Sequence, residues 1–258
     1  MIKKFAGYGF NRSHAVFYGI NGYITAYLKR HYPAAFLAAY LKIKTAKGGL
    51  AREEEIAAAK TECKRLDIEI LPPDINRSGI GYEVLDENTI VMGLAAIKGL
   101  GDKALDEIVN NQPYEDFKQF LDKTEGRVIN KSKMEALAKA GCFDSLNIAR
   151  KDIHDFGKKN RDKFNIWKKK NSLDGYNTIS DFPLKFEKNE WEKQQKLRYE
   201  QEVLGEIVSG TINDLYPGFF TSVGVTPISK INKLPNRYEI VVEFSVETKL
   251  REFKIKTG

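Results

Sequence analysis

The chain has little of what disulfide, zinc and membrane chemistry require. Among 258 residues there are two cysteines, Cys63 and Cys142, far apart, and no Cys-x-x-Cys pair or Cys/His cluster. That rules out a disulfide framework and argues against a structural zinc site. Two reduced thiols suit a cytoplasmic protein. No apolar run approaches the roughly 18 residues of a membrane span, and the opening Met1–Gly9 lacks the apolar core of a secretion signal. No membrane partner is therefore expected. Histidine is confined to His14, His31 and His154, and no Asp-x-Asp pair, internal repeat or low-complexity tract occurs.

Positive charge is what the chain has in surplus. Lys and Arg number 42 against 35 Asp and Glu, a net charge of +7. This balance favours a polyanionic partner without identifying it. Residues 149–170 hold nine basic residues against three acidic ones, nearly the whole surplus, with Phe156, Phe164 and Trp167 among them. Such a segment can track a nucleic-acid backbone. A solvated helix with one aromatic face packed on a core fits it equally.

The most informative stretch is Leu94–Val109. It reads as a short helix, a tight Gly99-Leu100-Gly101 turn and a second helix. Glycine permits backbone angles that other residues resist, and it removes side chains that would block a close approach. The second helix then presents free N–H groups and the positive end of its dipole, a seat for phosphate. Lys98 and Lys103 flank the turn. A nucleic-acid backbone is held in this way without its sequence being read. Lys98, Gly99, Leu100, Gly101, Asp102 and Lys103 are accordingly candidate DNA contacts. An ordinary helix–turn–helix corner with a glycine C-cap fits the same residues.

Elsewhere periodicity predicts mostly helix. Ser13 would cap a helix through His31 whose Val16, Ile20, Tyr23, Ile24, Tyr27 and Leu28 form one buried stripe. Tyr18, Tyr23 and Tyr27 then pack in a core rather than stack on bases. His31 reads as structural, Met134 as core, and His154 has no evident partner. Pro33 opens a second helix through Leu41, and residues 51–66 form a third. Pro72 and Pro73 impose an extended segment. Residues 82–85 and 90–94 flank 86–89 as a β-hairpin. Helices follow over 117–123, over 131–139 between Asn130 as N-cap and Gly141 as C-cap, and over 187–204. Residues 238–246 and 250–255 alternate like two strands, too few for an independent sheet. The fold class is mostly α with small β elements, α+β.

Ordered motifs then carry a resemblance. They are Phe10-Asn11-Arg12-Ser13-His14-Ala15, Tyr27-Leu28-Lys29, His31-Tyr32-Pro33-Ala34, Glu62-Cys63-Lys64-Arg65 and Ile70-Leu71-Pro72-Pro73-Asp74-Ile75-Asn76. Gly93–Gly101, Asn130-Lys131, Glu135-Ala136-Leu137, Lys139–Leu146, Glu202-Val203-Leu204-Gly205 and Ser209-Gly210 continue the order. Together the chain resembles part of the bacterial C-family replicative DNA polymerases, the alpha-subunit type of DNA polymerase III.

The resemblance implies a fingers-like helical segment over 1–65 and a helix-hairpin-helix duplex-binding domain with a basic helix and linker over 66–205. A connector with an incomplete OB-like β region would occupy 206–258. It implies double-stranded primer–template as partner, with Asn130 and Lys131 joining the hairpin as DNA contacts. Asn11, Arg12, Ser13 and His14 would face the incoming nucleotide and primer–template, Arg12 by pairing with a triphosphate oxygen. Ser13 as a plain cap and His14 as a first-turn residue stay open. Phosphoryl transfer in the family uses palm carboxylates that hold two metal ions. Nothing here resembles that palm, so no catalytic residue is assigned and the chain alone is expected to be inactive. Mg2+ is expected only in a palm domain on another segment, which makes a palm-bearing polymerase chain a candidate partner. The family's Ser-Gly-His-Pro reads Ser209-Gly210-Thr211-Ile212, and the loop at Ile179–Phe186 lacks the glutamine of a clamp-binding peptide. Sliding-clamp binding is left without sequence support. Two functions stay open: the DNA-binding portion of a C-family polymerase, or a palm-less polymerase-like regulator or decoy that binds replisome proteins.

Overall fold

The computed structural model describes residues 12–46, 50–172, 182, 184 and 186–217. Asn11, the expected strands over 238–246 and 250–255, and most of the 179–186 loop lie outside the described residues.

The elements are α1 (Arg12–His31), α2 (Pro33–Ala46), α3 (Leu50–Arg65), β1 (Glu69–Leu71), β2 (Glu83–Asp86) and β3 (Thr89–Val91). A 3-10 turn at Leu94–Ala96 leads to α4 (Asp102–Asn110), α5 (Phe117–Lys123) and α6 (Lys131–Ala140). After a second 3-10 turn come α7 (Arg150–Lys159), α8 (Arg161–Ser172), α9 (Lys193–Leu204) and α10 (Ile212–Leu215). The protein is mostly helical with one small three-stranded sheet, an α+β arrangement. Among the described residues no helix is long and apolar enough to cross a membrane.

The sheet has the order β1-β3-β2, with β3 antiparallel to β2 and parallel to β1. It forms one core with α2 and α3, built on Leu37, Leu41, Cys63, Ile68, Ile90 and Met92. This core runs across residue 65. A second core lies among α4 to α9, and Phe117 is its hub: its ring lies 5.3 Å from Phe143 and 5.4 Å from Phe156, both edge-on. Met134 is fully buried there.

The prolines and glycines between the cores aim the first hairpin. After Pro72 and Pro73 the buried Asp74 carboxylate accepts the N–H groups of Asn76 and Arg77, and Ile75 N–H donates to the Cys142 carbonyl at 2.8 Å. Leu94 and Ala95 N–H groups donate to the carbonyls of Gly79 and Ile80 at 3.0 Å each. A Cβ on Gly93 would collide with the backbone of Gly81, so the chain entering the hairpin can lie flat on the 79–81 loop only with glycine there.

The carboxy-terminal side is latched by a buried ion pair. Arg150 donates to Glu200 at 2.7 Å and to Asp144 at 2.6 Å. Glu200, 1% exposed, also accepts from Val208 N–H, Ser209 N–H and the Ser209 hydroxyl. Burial alone would raise the Glu200 carboxyl, but the hydrogen bonds from Ser209, Arg150 and Val208 outweigh it and hold the group below its ordinary value.

Four expectations are corrected. The stripe on α1 is not buried: Val16, Ile20, Ile24, Tyr27 and Leu28 are exposed and Tyr23 is 71% exposed, because α1 packs on α2 alone of the larger contacts and the described residues offer nothing to cover its apolar face. Tyr18 is likewise outside the core, and the rings of Tyr27 and His31 meet in a tilted pair with centroids 4.2 Å apart instead. Ser13 does not cap α1, which already begins at Arg12. The helix expected over 187–204 starts only at Lys193; Trp191 precedes it and packs on Tyr199 and His154, giving His154 the ring partners that sequence did not reveal.

Candidate nucleic-acid interface

The first hairpin stands at the surface. Lys98, Gly99, Gly101, Asp102 and Lys103 are exposed and Leu100 is half-buried against the second core. Ala104, Leu105 and Ile108 on the inner face of α4 are buried, so the helix is fixed while its first turn faces solvent. Gly99 has φ +93°, a left-handed angle at which a side chain is strained. It turns the chain between the 3-10 turn and α4. Gly101 is the N-cap of α4 in extended conformation, and it supplies no side-chain cap. Nothing lies within 4 Å of a Cβ built on either glycine. The hairpin is therefore glycine-lined toward open space and not toward a packed neighbour.

Helix geometry leaves the first N–H groups of α4 without intrahelical partners. Ala104 and Leu105 N–H groups fold back on the Gly101 carbonyl, whereas those of Gly101, Asp102 and Lys103 take no acceptor among the described residues. They point out with the positive end of the dipole, an arrangement suited to an oxyanion. Lys98 is anchored through its own N–H, which donates to the Val203 carbonyl at 2.8 Å at the end of α9. The exposed Asp102 carboxylate in the same turn opposes an anion, and Lys98 and Lys103 oppose it in turn.

A second hairpin joins α5 to α6. It is tied to α4 by Glu125 N–H, which donates to Glu107 Oε1 at 2.6 Å. Asn130 caps α6 as expected, accepting Lys133 N–H through its side chain. Gly141 ends α6 in the left-handed region, also as expected. Asn130 and Lys131 are exposed beside Ser132, Glu135 and Asp162 in a shallow recess. Lys133 Nζ donates to the Val128 carbonyl at 2.7 Å, and so braces the hairpin instead of reaching out.

The remaining candidates separate from these. Ser13 and His14 sit in the first turn of α1, on a helix carried by α2, with the His14 ring 4.4 Å from that of Tyr18. The end of α1 is tied down by Lys29, 2.9 Å from Glu62 of α3. Hydrogen bonds from Arg65 and Lys29 hold the Glu62 carboxyl down to about 2. In the basic segment Phe156 and Phe164 are buried in the core and Trp167 is half-buried against it, so neither phenylalanine accompanies the lysines to the surface. Two of its cations are structural: Arg150 in the buried pair and Arg161, 1% exposed, whose Nε donates to the Ile129 carbonyl at 3.0 Å. Sequence counted both as surface charge. Only their places at the starts of α7 and α8 hinted otherwise. Among the described residues no three of His, Cys, Asp and Glu gather as a metal site.

Residues 67–153, which contain both hairpins, match a family defined by a helix-hairpin-helix motif. Over the whole chain the sequence is 38% identical to DNA polymerase III subunit alpha of Aquifex aeolicus and 33% identical to that of Borreliella burgdorferi. With the Thermus aquaticus subunit it shares 31% over 98% of the chain. The chain belongs to the DNA polymerase III alpha family. It spans about a fifth of the length of the relatives it matches, 21% of the Aquifex and Thermus proteins and 24% of the Borreliella one. Several motifs quoted for the resemblance are architectural in this chain: Asp74 and Ile75 wire the two cores together, and Ser209 closes the Glu200 latch.

Proposed function

We propose that this chain is the duplex-holding portion of a C-family DNA polymerase in DNA replication. The observation that carries the reading is the first hairpin: two glycines open to solvent, three outward N–H groups at the start of α4, and lysines on both sides. The ligand is the phosphodiester backbone of primer–template duplex, held without base readout. Lys98, Gly99, Leu100, Gly101, Asp102 and Lys103 form the first contact, with Leu100 as the packed root of the turn. Asn130 and Lys131 form the second, where the α6 N-terminus repeats the arrangement. The first turn of α1, with Arg12, Ser13 and His14, is the nucleotide-side element, and Asn11 belongs with it by sequence. The chemistry, with its Mg2+, is assigned to palm carboxylates on another polypeptide segment, which makes a palm-bearing polymerase chain the natural partner. No observation favours a stand-alone regulator or decoy, and none supports a sliding-clamp contact.

The test is equilibrium binding of the chain to a blunt duplex across a salt series. Phosphate contacts release counterions, so log affinity should fall linearly with log salt, with a slope of about −0.9 per contact. With roughly three to five contacts the slope is about −2.7 to −4.5. Absent binding, or binding indifferent to salt, overturns the reading.

A further inference from the structure

The basic segment that the two hairpins leave unused lies against the second of them. The helix-hairpin-helix family match ends at residue 153, so the α7–α8 corner is outside it. Three contacts place this corner. Gly157 lets α7 approach α6 closely: a Cβ there would stand 2.9 Å from Met134 Cγ and 3.6 Å from the Lys131 carbonyl oxygen. Gly126 of the hairpin has no room for a Cβ against the Asn165 side chain of α8. Arg161, the first residue of α8, holds the Ile129 carbonyl, one residue before the Asn130 cap. The end of α7 and the start of α8 therefore flank the hairpin and the first turn of α6.

Arg161 is the feature that packing does not explain. Its Nη1 and Nη2 are buried and take no hydrogen-bond partner. Its guanidinium carbon lies 5.8 Å from the Phe164 ring. Burial lowers its pKa to about 10, so it stays charged at neutral pH. A buried cation without a hydrogen-bonded counter-charge is costly, and its field is screened less than that of a surface lysine. Through the Ile129 carbonyl Arg161 sits one residue from the Asn130 cap, so its field adds to that of the positive end of α6. On the elements that meet there, α6, α7 and α8, Lys131, Lys158 and Lys163 are exposed and take no ion-pair partner among the described residues. Lys159 lies 3.8 Å from Asp155, and Glu135 and Asp162 line the recess, so carboxylates bound the positive face.

We propose that the second hairpin and the α7–α8 corner form one phosphodiester-binding surface, with Lys131, Lys158 and Lys163 on phosphate oxygens and Arg161 beneath as a positioning residue. The inference rests on the duplex reading above and extends it beyond the motif. In practice the corner adds a run of backbone contacts next to the second hairpin.

Two experiments on the full chain separate the claims. A photo-crosslinker is attached through Lys163→Cys or, at the first hairpin, Lys103→Cys; Cys63 and Cys142 are fully buried and remain unlabelled. Crosslinks to duplex from both sites are expected. Crosslinking from 103 but not from 163 overturns the corner and leaves the duplex reading standing, and crosslinking from neither overturns both. Second, Lys158→Gln/Lys163→Gln should reduce the salt slope by about 2, close to 0.9 for each phosphate lost. An unchanged slope overturns the assignment. Arg161→Lys, which keeps the charge, should retain the parental slope and affinity, whereas Arg161→Gln should weaken binding severalfold in samples that a thermal melt shows to be folded. Equal affinities of the two variants remove Arg161 from the surface.

Discussion

Replacing Gly101 with alanine separates a glycine kept for folding from one kept for a ligand. In the free protein the change is nearly neutral. Gly101 has φ −93° and ψ 168°, angles any residue adopts, and an added Cβ meets nothing within 4 Å. Alanine is a poorer N-cap than glycine, by up to about 1 kcal/mol. It also restricts the unfolded chain, which returns about 0.4–1 kcal/mol. The two terms oppose, so stability should change by less than about 1 kcal/mol. A bound phosphate meets the methyl group directly, since it must approach the N–H groups of 101–103. Losing one hydrogen bond to a charged partner costs about 1.5–3 kcal/mol, which is about 10- to 150-fold in Kd. The assay is fluorescence anisotropy with labelled duplex at one low salt concentration, run beside a thermal melt of the same sample. A stable variant that binds within about twofold of the parent would refute the phosphate seat.

Other perturbations probe the scaffold. Gly93→Ala drives a methyl into the Gly81 backbone, where no side chain can move aside, and should cost at least about 1–3 kcal/mol by denaturant unfolding. Glu200→Ala strips Arg150 of its buried partner and should cost about 3–5 kcal/mol, well above the cost of Asp144→Ala, whose side chain is 48% exposed. Acid should also destabilise the protein. The carboxyls of Glu200, Glu62 and Asp214 are all depressed in the folded state, the last two to about 2. Their contribution is complete above the ordinary carboxylate range and is lost as pH falls through the folded values. The melting temperature should therefore drop between about pH 4.5 and 2, and Glu200→Gln should flatten part of that drop.

Much of the fold was legible because local rules agreed with the tertiary structure. Asn130 and Gly141 bracket α6 by capping chemistry, α5 falls on its expected residues 117–123, and the 82–94 segment pairs as a hairpin. The first hairpin was legible because two glycines between periodic segments leave few conformations. What escaped notice depended on partners distant in sequence. An i, i+4 apolar stripe predicts that a helix face wants cover, not that nearby chain will supply it, and α1 stayed exposed. Arginines in a basic run look solvated until Glu200, fifty residues on, or the Ile129 carbonyl is brought beside them. His154 looked solitary for the same reason, since Trp191 and Tyr199 reach it only after the 186–192 segment folds back over α7.

The central claim concerns three backbone amides, and it can be read at those amides. In an amide NMR titration with short duplex DNA, the N–H signals of Gly101, Asp102 and Lys103 should shift saturably, with the largest changes in the chain and a midpoint that tracks salt. Saturated DNA binding with these three signals unmoved would contradict the account.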